Sequence, residues 1–212
     1  MSDPATSEQF VGRGGLKLAH ALDTFDICVT GLDSADLGCN IGGFTDCLLK
    51  RGARHVYAVD TGYGVLDYRL RMDERVTVME RTNALHAEPP ADGVDLVTVD
   101  LAWTPQMRAI PSALRWLRAE GQIITLIKPH YEAGHGPERD TLQKGILMEA
   151  DAQRVLERVL AELANSGVEI AGVTQSPILG GAGKKKGKAK GNIEFLALLR
   201  VPTGGICASG HG

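Results

Sequence analysis

The chain has 212 residues, a formal net charge of −3 and a pI near 6.1, enough for one sizeable domain and too acidic for a global field that would attract nucleic acid. No apolar run approaches the roughly 18 residues that span a bilayer, and MSDPATSEQF lacks the basic-then-apolar layout of a secretory leader, so a cytoplasmic protein with no membrane association is expected. Cys28, Cys39, Cys47 and Cys207 form no CxxC pair and have no histidine at metal-ligand spacing, which predicts reduced thiols and no metal site.

Residues 1–10 are polar and expected to be disordered, residues 11–202 to form one domain, and residues 203–212 to form a flexible Gly-rich tail. From Gly12 to Phe25 the residues Leu16, Leu18, Ala19, Ala21, Leu22 and Phe25 mark a helical stripe, with Lys17 off it or at its edge. A strand over 32–37 follows, then a glycine-bearing turn and a helix from Phe44 to Arg51, stopped by Gly52. Strands are predicted over His55–Val59, Val76–Met79 and Val94–Val99, with a helix over Val65–Arg71 between the first two.

Pro111 is read as the first turn of a helix through Ala119, with Gly121 ending it ahead of the apolar strand Gln122–Ile127. The stretch from His130 to Gly145 reads as a long loop, a feature more often functional than idle in a compact domain. Val155, Leu156, Val159, Leu160 and Leu163 define an amphipathic helix over Ala150–Asn165. A strand over Val168–Thr174, a Gly- and Lys-rich loop from Pro177 to Asn192 and a last strand over Ile193–Val201 complete the chain. Strands alternating with helices, closed by a hairpin-like return, predict an α/β fold: a mostly parallel seven-stranded sheet with one antiparallel strand and helices on both faces.

The turn Gly38-Cys39-Asn40-Ile41-Gly42-Gly43 lies where open parallel sheets bind ligands, beyond the carboxyl end of the first strand. A dinucleotide fingerprint places glycine in the middle of Gly-x-Gly-x-x-Gly, and here Asn40 takes that place, which disfavours a pyrophosphate. What remains is a turn able to wrap a compact, phosphate-free nucleoside such as S-adenosylmethionine, with Asp36 supplying a carboxylate near its ammonium. Asp60 follows the second strand about twenty residues later, the spacing of a ribose-binding acid, although an acid after a strand is also a common helix cap. Asn83 is a candidate for the adenine edge or a plain turn residue.

Three charges fit a bland fold poorly. Glu194 interrupts a strand apolar on both faces, and Asp100 and Lys128 close two buried strands. A carboxylate so placed needs a partner, and lone charges meeting at one sheet edge suggest a reaction centre, with structural ion pairing as the alternative. The histidines 20, 55, 86, 130, 135 and 211 do not cluster and read as surface or structural. Trp103 and Trp116 read as core, Trp103 with the option of bordering a ribose or a target base.

The fragments Gly12-Arg13-Gly14-Gly15-Leu16-Lys17-Leu18, Asp36-x-Gly38 with Gly42-Gly43-Phe44-Thr45, Glu80-Arg81-Thr82-Asn83-Ala84, Val99-Asp100-Leu101, Ile127-Lys128-Pro129 and Gly191-Asn192-Ile193-Glu194 resemble, in order, the TlyA-type branch of the FtsJ-like RNA 2′-O-methyltransferases. The resemblance runs from about residue 11 to 201 and excludes the S4-like RNA-binding domain usual in that branch. It implies a Rossmann-like class I methyltransferase fold and a catalytic Lys-Asp-Lys-Glu set on Lys17, Asp100, Lys128 and Glu194. It also implies a cofactor pocket lined by Asp36, Gly38, Gly42, Phe44, Asp60 and Asn83, to which position in the turn adds Cys39, Asn40 and Gly43, with Asp100 at the border. The implied reaction is methyl transfer from S-adenosylmethionine to a ribose 2′-hydroxyl of RNA, usually ribosomal RNA or a ribosomal subunit. Lys184, Lys185, Lys186, Lys188 and Lys190 form a basic loop that grips phosphates or is a solvated tip. The rival readings are an RNA-binding or haemolysin-like protein without catalysis and a nicotinamide-dependent oxidoreductase.

Overall fold

A computed structural model describes residues 10–142, 144–181 and 191–202. Phe10, the last residue of the start expected to be disordered, is instead buried in the core with Leu18 and Leu22; residues 1–9, the tail 203–212 (with Cys207 and His211) and the five lysines of the basic loop were expectations that fall outside the described residues.

β-branched and leucine-rich runs form the strands; the central ones, β1, β4, β7 and the second half of β5, are buried on both faces, whereas the edge strands β3 and β6 are half-buried or partly exposed. In chain order the elements are α1 (Gly14–Thr24), β1 (Asp33–Leu37), α2 (Gly43–Lys50), β2 (His55–Val59), α3 (Tyr68–Arg71), β3 (Val76–Met79), β4 (Val94–Val99), α4 (Gln106–Leu114), β5 (Leu117–Ile127), α5 (Pro129–His135), a 3-10 turn (Pro137–Thr141), α6 (Glu149–Asn165), β6 (Glu169–Gln175) and β7 (Phe195–Arg200). The sheet order is β3-β2-β1-β4-β5-β7-β6. Strands β1 to β5 run parallel to their neighbours, and β7 lies antiparallel to both β5 and β6, the mixed sheet that the strand pattern predicts.

Alternation along the central strands divides the core between the two faces. Ile124, Leu126, Leu196 and Leu198 pack with Leu18, Leu22, Leu48 and Leu70 on the face covered by α1, α2 and α3. Ile123, Ile127, Ala197 and Leu199 pack with Ile110, Trp116, Val155, Val159 and Leu163 on the face covered by α4 and α6. Trp116 is fully buried, whereas Trp103 is 71% exposed, so the core expectation holds for the first and fails for the second.

Four local expectations need correcting. The helix expected from Pro111 to Ala119 starts five residues earlier, because Ala109, Ile110 and Ala113 form the buried stripe and Pro111 is carried inside α4. Gly121 does not end a helix but lies within β5. Val94 pairs with Leu117 and Leu96 with Gln122, so residues 118–121 bulge out of the ladder, a place where glycine is common. The long loop from His130 contains α5, initiated by Pro129 in its first turn, and the 3-10 turn. Finally, the helix expected over Val65–Arg71 is confined to one turn, since Asp67 caps it by accepting from the Arg69 N–H.

Candidate active site

The parallel register sets the site. Leu37 pairs with Val59 and with Val99, and Val59 with Met79, so Gly38, Asp60, Glu80 and Asp100 each follow the carboxyl end of a strand along one edge of the sheet. Lys128 follows β5 at the same edge. Because β7 runs the other way and Phe195 pairs with Ile127, Glu194, immediately before β7, arrives beside Lys128. The sequence separates these residues widely, and the pairing of strands brings them together.

Lys17 reaches this edge from α1. It is not on the solvent side of its helix but 8% exposed, and its Nζ donates to Glu194 Oε2 at 2.5 Å. The partner that a buried Glu194 requires is therefore Lys17. Removing either member would leave an uncompensated buried charge, a loss of about 3–5 kcal/mol. Lys128 forms the second pair, with Asp100, and its Nζ also donates to the Leu101 carbonyl at 3.4 Å. His130 links the two pairs electrostatically: burial, then the charges of Lys128 and Lys17, push its imidazole down to about 4. It is thus a neutral, half-buried ring near the two lysines, the structural alternative of the sequence reading. Its neighbour Tyr131 stacks on Trp103 with ring centroids 4.3 Å apart, and the Lys128 ammonium lies 5.4 Å from the Tyr131 ring centre.

Beside the pairs lies a cleft of about 600 Å³, lined among others by Gly38, Asn40, Asp60, Asn83, Asp100 and Lys128, a size usual for small-ligand pockets. A smaller recess of about 260 Å³, lined among others by Asp36, Cys39, Gly43, Phe44 and Asp100, opens between the start of α1 and the glycine turn. Gly38 has φ +91°, and a Cβ there would come within 2.6 Å of the Asp100 carbonyl oxygen, so a side chain at 38 is excluded twice over. Gly42, also at positive φ, is packed against Leu66 and Leu70.

Four of the turn's six amides are engaged within the protein. The Gly38 and Cys39 N–H groups donate to the Val59 carbonyl at 2.8 and 3.1 Å, and Gly42 N–H to the Cys39 carbonyl at 2.8 Å. Asn40 N–H donates to Asp60 Oδ2 at 2.8 Å. A phosphate cradle needs such amides unengaged, and with four of them committed the turn is poorly equipped for phosphate, the direction in which Asn40 in the fingerprint also points.

Asp60 accepts from Asn40 N–H through Oδ2 and from Gly62 N–H through Oδ1, which fixes its carboxylate at the cleft wall. Asn83 Oδ1 caps the following turn by accepting from Leu85 N–H at 3.0 Å. Asp36 is fully buried. Its Oδ2 accepts from the Thr45 N–H and hydroxyl, and its Oδ1 from the Thr98 hydroxyl. Burial, with the charge of Asp100 adding, raises its carboxyl to about 7. Asp36 thereby fastens the first turn of α2 to β1 at the floor of the recess.

A sequence profile of the FtsJ-like methyltransferases matches residues 10–186. The chain belongs to the FtsJ-like methyltransferase family. Among this family's relatives, the Bacillus subtilis protein YqxC is 40% identical over 200 residues, covering 92% of this chain and 66% of YqxC. A Mycobacterium tuberculosis protein named 16S/23S rRNA (cytidine-2′-O)-methyltransferase TlyA is 37% identical over 197 residues, covering 92% of this chain and 69% of that one. A solved Lactococcus lactis structure superposes with a TM-score of 0.80 at 36% identity, covering 91% of this chain and 88% of that one. The chain spans about two thirds of the length of the first two relatives.

With the FtsJ-like fold in hand, the sequence-predicted residues sort into three places. Asp100, Lys128, Glu194 and Lys17 form the paired charges; Gly38, Asn40, Asp60 and Asn83 line the cleft; Asp36, Cys39, Gly43 and Phe44 line the recess; Gly42 lines neither and packs against Leu66 and Leu70 instead. Sequence reasoning missed His130, Tyr131 and Gly180. The first two follow Lys128-Pro129 directly, and a proline opening a helix after a strand end was the available signal.

Proposed function

We propose that the chain transfers a methyl group from S-adenosylmethionine to a ribose 2′-hydroxyl of RNA, with ribosomal RNA as the substrate and the cytoplasm as the place of action. The observation that carries this reading is the convergence of two lysine–carboxylate pairs at the sheet edge beside a cleft lined by Gly38, Asp60, Asn83 and Lys128. Gly38, Asn40, Asp60 and Asn83 would hold the nucleoside part of the cofactor. S-adenosylmethionine, when bound, supplies an electrophilic methyl on a sulfonium that departs as a neutral thioether.

The chain's own task is to align the ribose oxygen and take its proton. Lys128 Nζ is the atom that takes the 2′ proton, while Asp100 and the Leu101 carbonyl fix where that nitrogen points. Glu194 holds Lys17 at the same edge, and the neutral His130 beside Tyr131 adds no charge to it. General-base help is worth roughly 10²–10⁴-fold, and alignment about 7–11 kcal/mol, so positioning is the larger contribution. The exposed Trp103, stacked on Tyr131, borders the place where a nucleotide enters. The lysine-rich segment joins described flanks that bridge at Gly180 and Asn192, two residues from Glu194, and supplies phosphate contacts in this reading.

The test is direct. Incubation with methyl-labelled S-adenosylmethionine and ribosomal RNA, followed by nucleoside mass spectrometry, is expected to yield a 2′-O-methylated nucleoside. Label on a base, or no label on any ribosomal RNA offered naked or in subunits, would refute the proposal.

A further inference from the structure

Beneath the cleft mouth lies a set of buried polar groups that belongs neither to the ligand pocket nor to the two ion pairs. Gln106, 4% exposed, opens α4 directly after the segment 101–105, from which Leu101, Ala102 and Thr104 line the cleft. Its Nε2 donates to the Leu126 carbonyl at 3.1 Å, and its Oε1 accepts from the Thr125 hydroxyl at 2.6 Å. Its backbone N–H donates to Glu132 Oε1 at 2.9 Å. Glu132, 5% exposed, sits in the first turn of α5, and its own N–H donates to the Lys128 carbonyl at 3.1 Å. The bonds close a ring: from the start of α4 to the end of β5, through Lys128 into α5, and back to α4.

The ring joins the two walls of the site. One wall runs from Asp100 to Gln106, the other from Lys128 to Glu132, and the ion pair between Asp100 and Lys128 spans them above. A simple helix cap would be cheaper. The residue before α4 is Pro105, which offers no side-chain cap, and a carboxylate from another helix does that work at the cost of its own burial, which pushes Glu132 up to about 7. On the α6 side Glu132 faces Arg158 and Glu162, and Arg158 also donates to the Glu132 carbonyl oxygen and pairs with Glu138. A buried ionisable group that weakens the fold is retained where it fixes one arrangement.

We infer that Glu132 and Gln106 are positioning residues for the methyl transfer proposed above, locking the Asp100 wall to the Lys128 wall so that the two side chains meet in one geometry. Glu132→Ala removes the acceptor for the Gln106 N–H, whereas Glu132→Gln keeps an oxygen there. In the full chain, with S-adenosylmethionine and ribosomal RNA, Glu132→Ala is expected to lower kcat by roughly 10- to 100-fold with KM for RNA and cofactor affinity unchanged, and Glu132→Gln to restore most of it. Should Glu132→Ala not fold, Thr125→Val, which deletes only the hydroxyl bond to Gln106, carries the same direction. A loss shared equally by kcat, KM and cofactor affinity, or a folded variant with full kcat, overturns the inference.

A second readout needs no turnover, so it judges the lock even where the methyl-transfer reading fails. In ¹H–¹⁵N spectra of the chain alone, the indole signal of Trp103 is expected to shift in Glu132→Ala or Thr125→Val and to return in Glu132→Gln, while that of the buried Trp116 stays. An unmoved Trp103 signal in a folded variant overturns the lock. An inactive wild type with a shifting Trp103 signal instead refutes the methyl-transfer reading.

Discussion

Glu194 is confined by two neighbours of opposite kind. Lys17 attracts its Oε2, and Gly180 backs its carboxyl group so closely that a Cβ at 180 would lie 1.8 Å from Oε1. The Gly180–Asn192 bridge holds that wall in place, with Asn192 tied further to Leu147 N–H and the Gly145 carbonyl. Gly180→Ala is therefore expected to swing the carboxylate off Lys17 and to lower methyl transfer by roughly 10²-fold, the cost of displacing a reacting constellation by about 1 Å. Rate measurement beside a thermal melt checks this, and full activity in the variant would contradict it. Glu194 was legible as a charge out of place in an apolar strand, whereas Lys17, read off its helix's stripe or at its edge, entered only through the family resemblance, and their pairing was not legible because α1 and β7 meet only in the folded sheet. Gly180 left no signal at all, since its need for glycine comes from a side chain fourteen positions later and not from its own backbone.

Among the elements, the strands were the most legible, because runs such as Val94–Val99 and Ile123–Ile127 are buried on both faces and have no competing helical reading. Segments α4 and α5 were not, since Pro111 and Gly121 are strong local signals that packing overrides, one carried inside a helix and the other in a bulge. These two misread helices hold the Gln106–Glu132 bond, and its carboxylate gives the fold a pH signature. Burial raises Glu132 from 4.5 to about 7. Below about pH 4.5 it is protonated in both the folded and unfolded chains; as pH rises, the unfolded chain releases the proton first, so stability falls between about 4.5 and 7 and then levels. Glu132→Gln has no proton to release. By urea unfolding it should match the wild type near pH 4 and exceed it near pH 8 by roughly 3 kcal/mol, the shift converted at 1.36 kcal/mol per unit. Asp36 titrates in the same sense in both proteins and drops out of the comparison. A gap independent of pH would show that Glu132 is not the group responsible.

At the scale of the whole molecule, the parallel sheet acts as a collector. Residues 38, 60, 100, 128 and 194, drawn from five separate connections, reach one edge because the register of β1, β2, β4, β5 and β7 leaves them no other place. Helices on both faces bury the sheet and leave this edge open, and with a net charge of −3 the proposed function relies on local features of this edge, not on a global field, to hold RNA. Among the described residues no helix is long and apolar enough to cross a membrane. The central claim is that this collected edge performs the chemistry and not merely the packing. Lys128→Ala tests it most directly, with transfer to ribosomal RNA and cofactor binding by calorimetry measured on the same preparation. The expected result is a loss of transfer of roughly 10²–10⁴-fold or more with cofactor affinity retained; a Lys128→Ala chain that methylates RNA at the wild-type rate would contradict it.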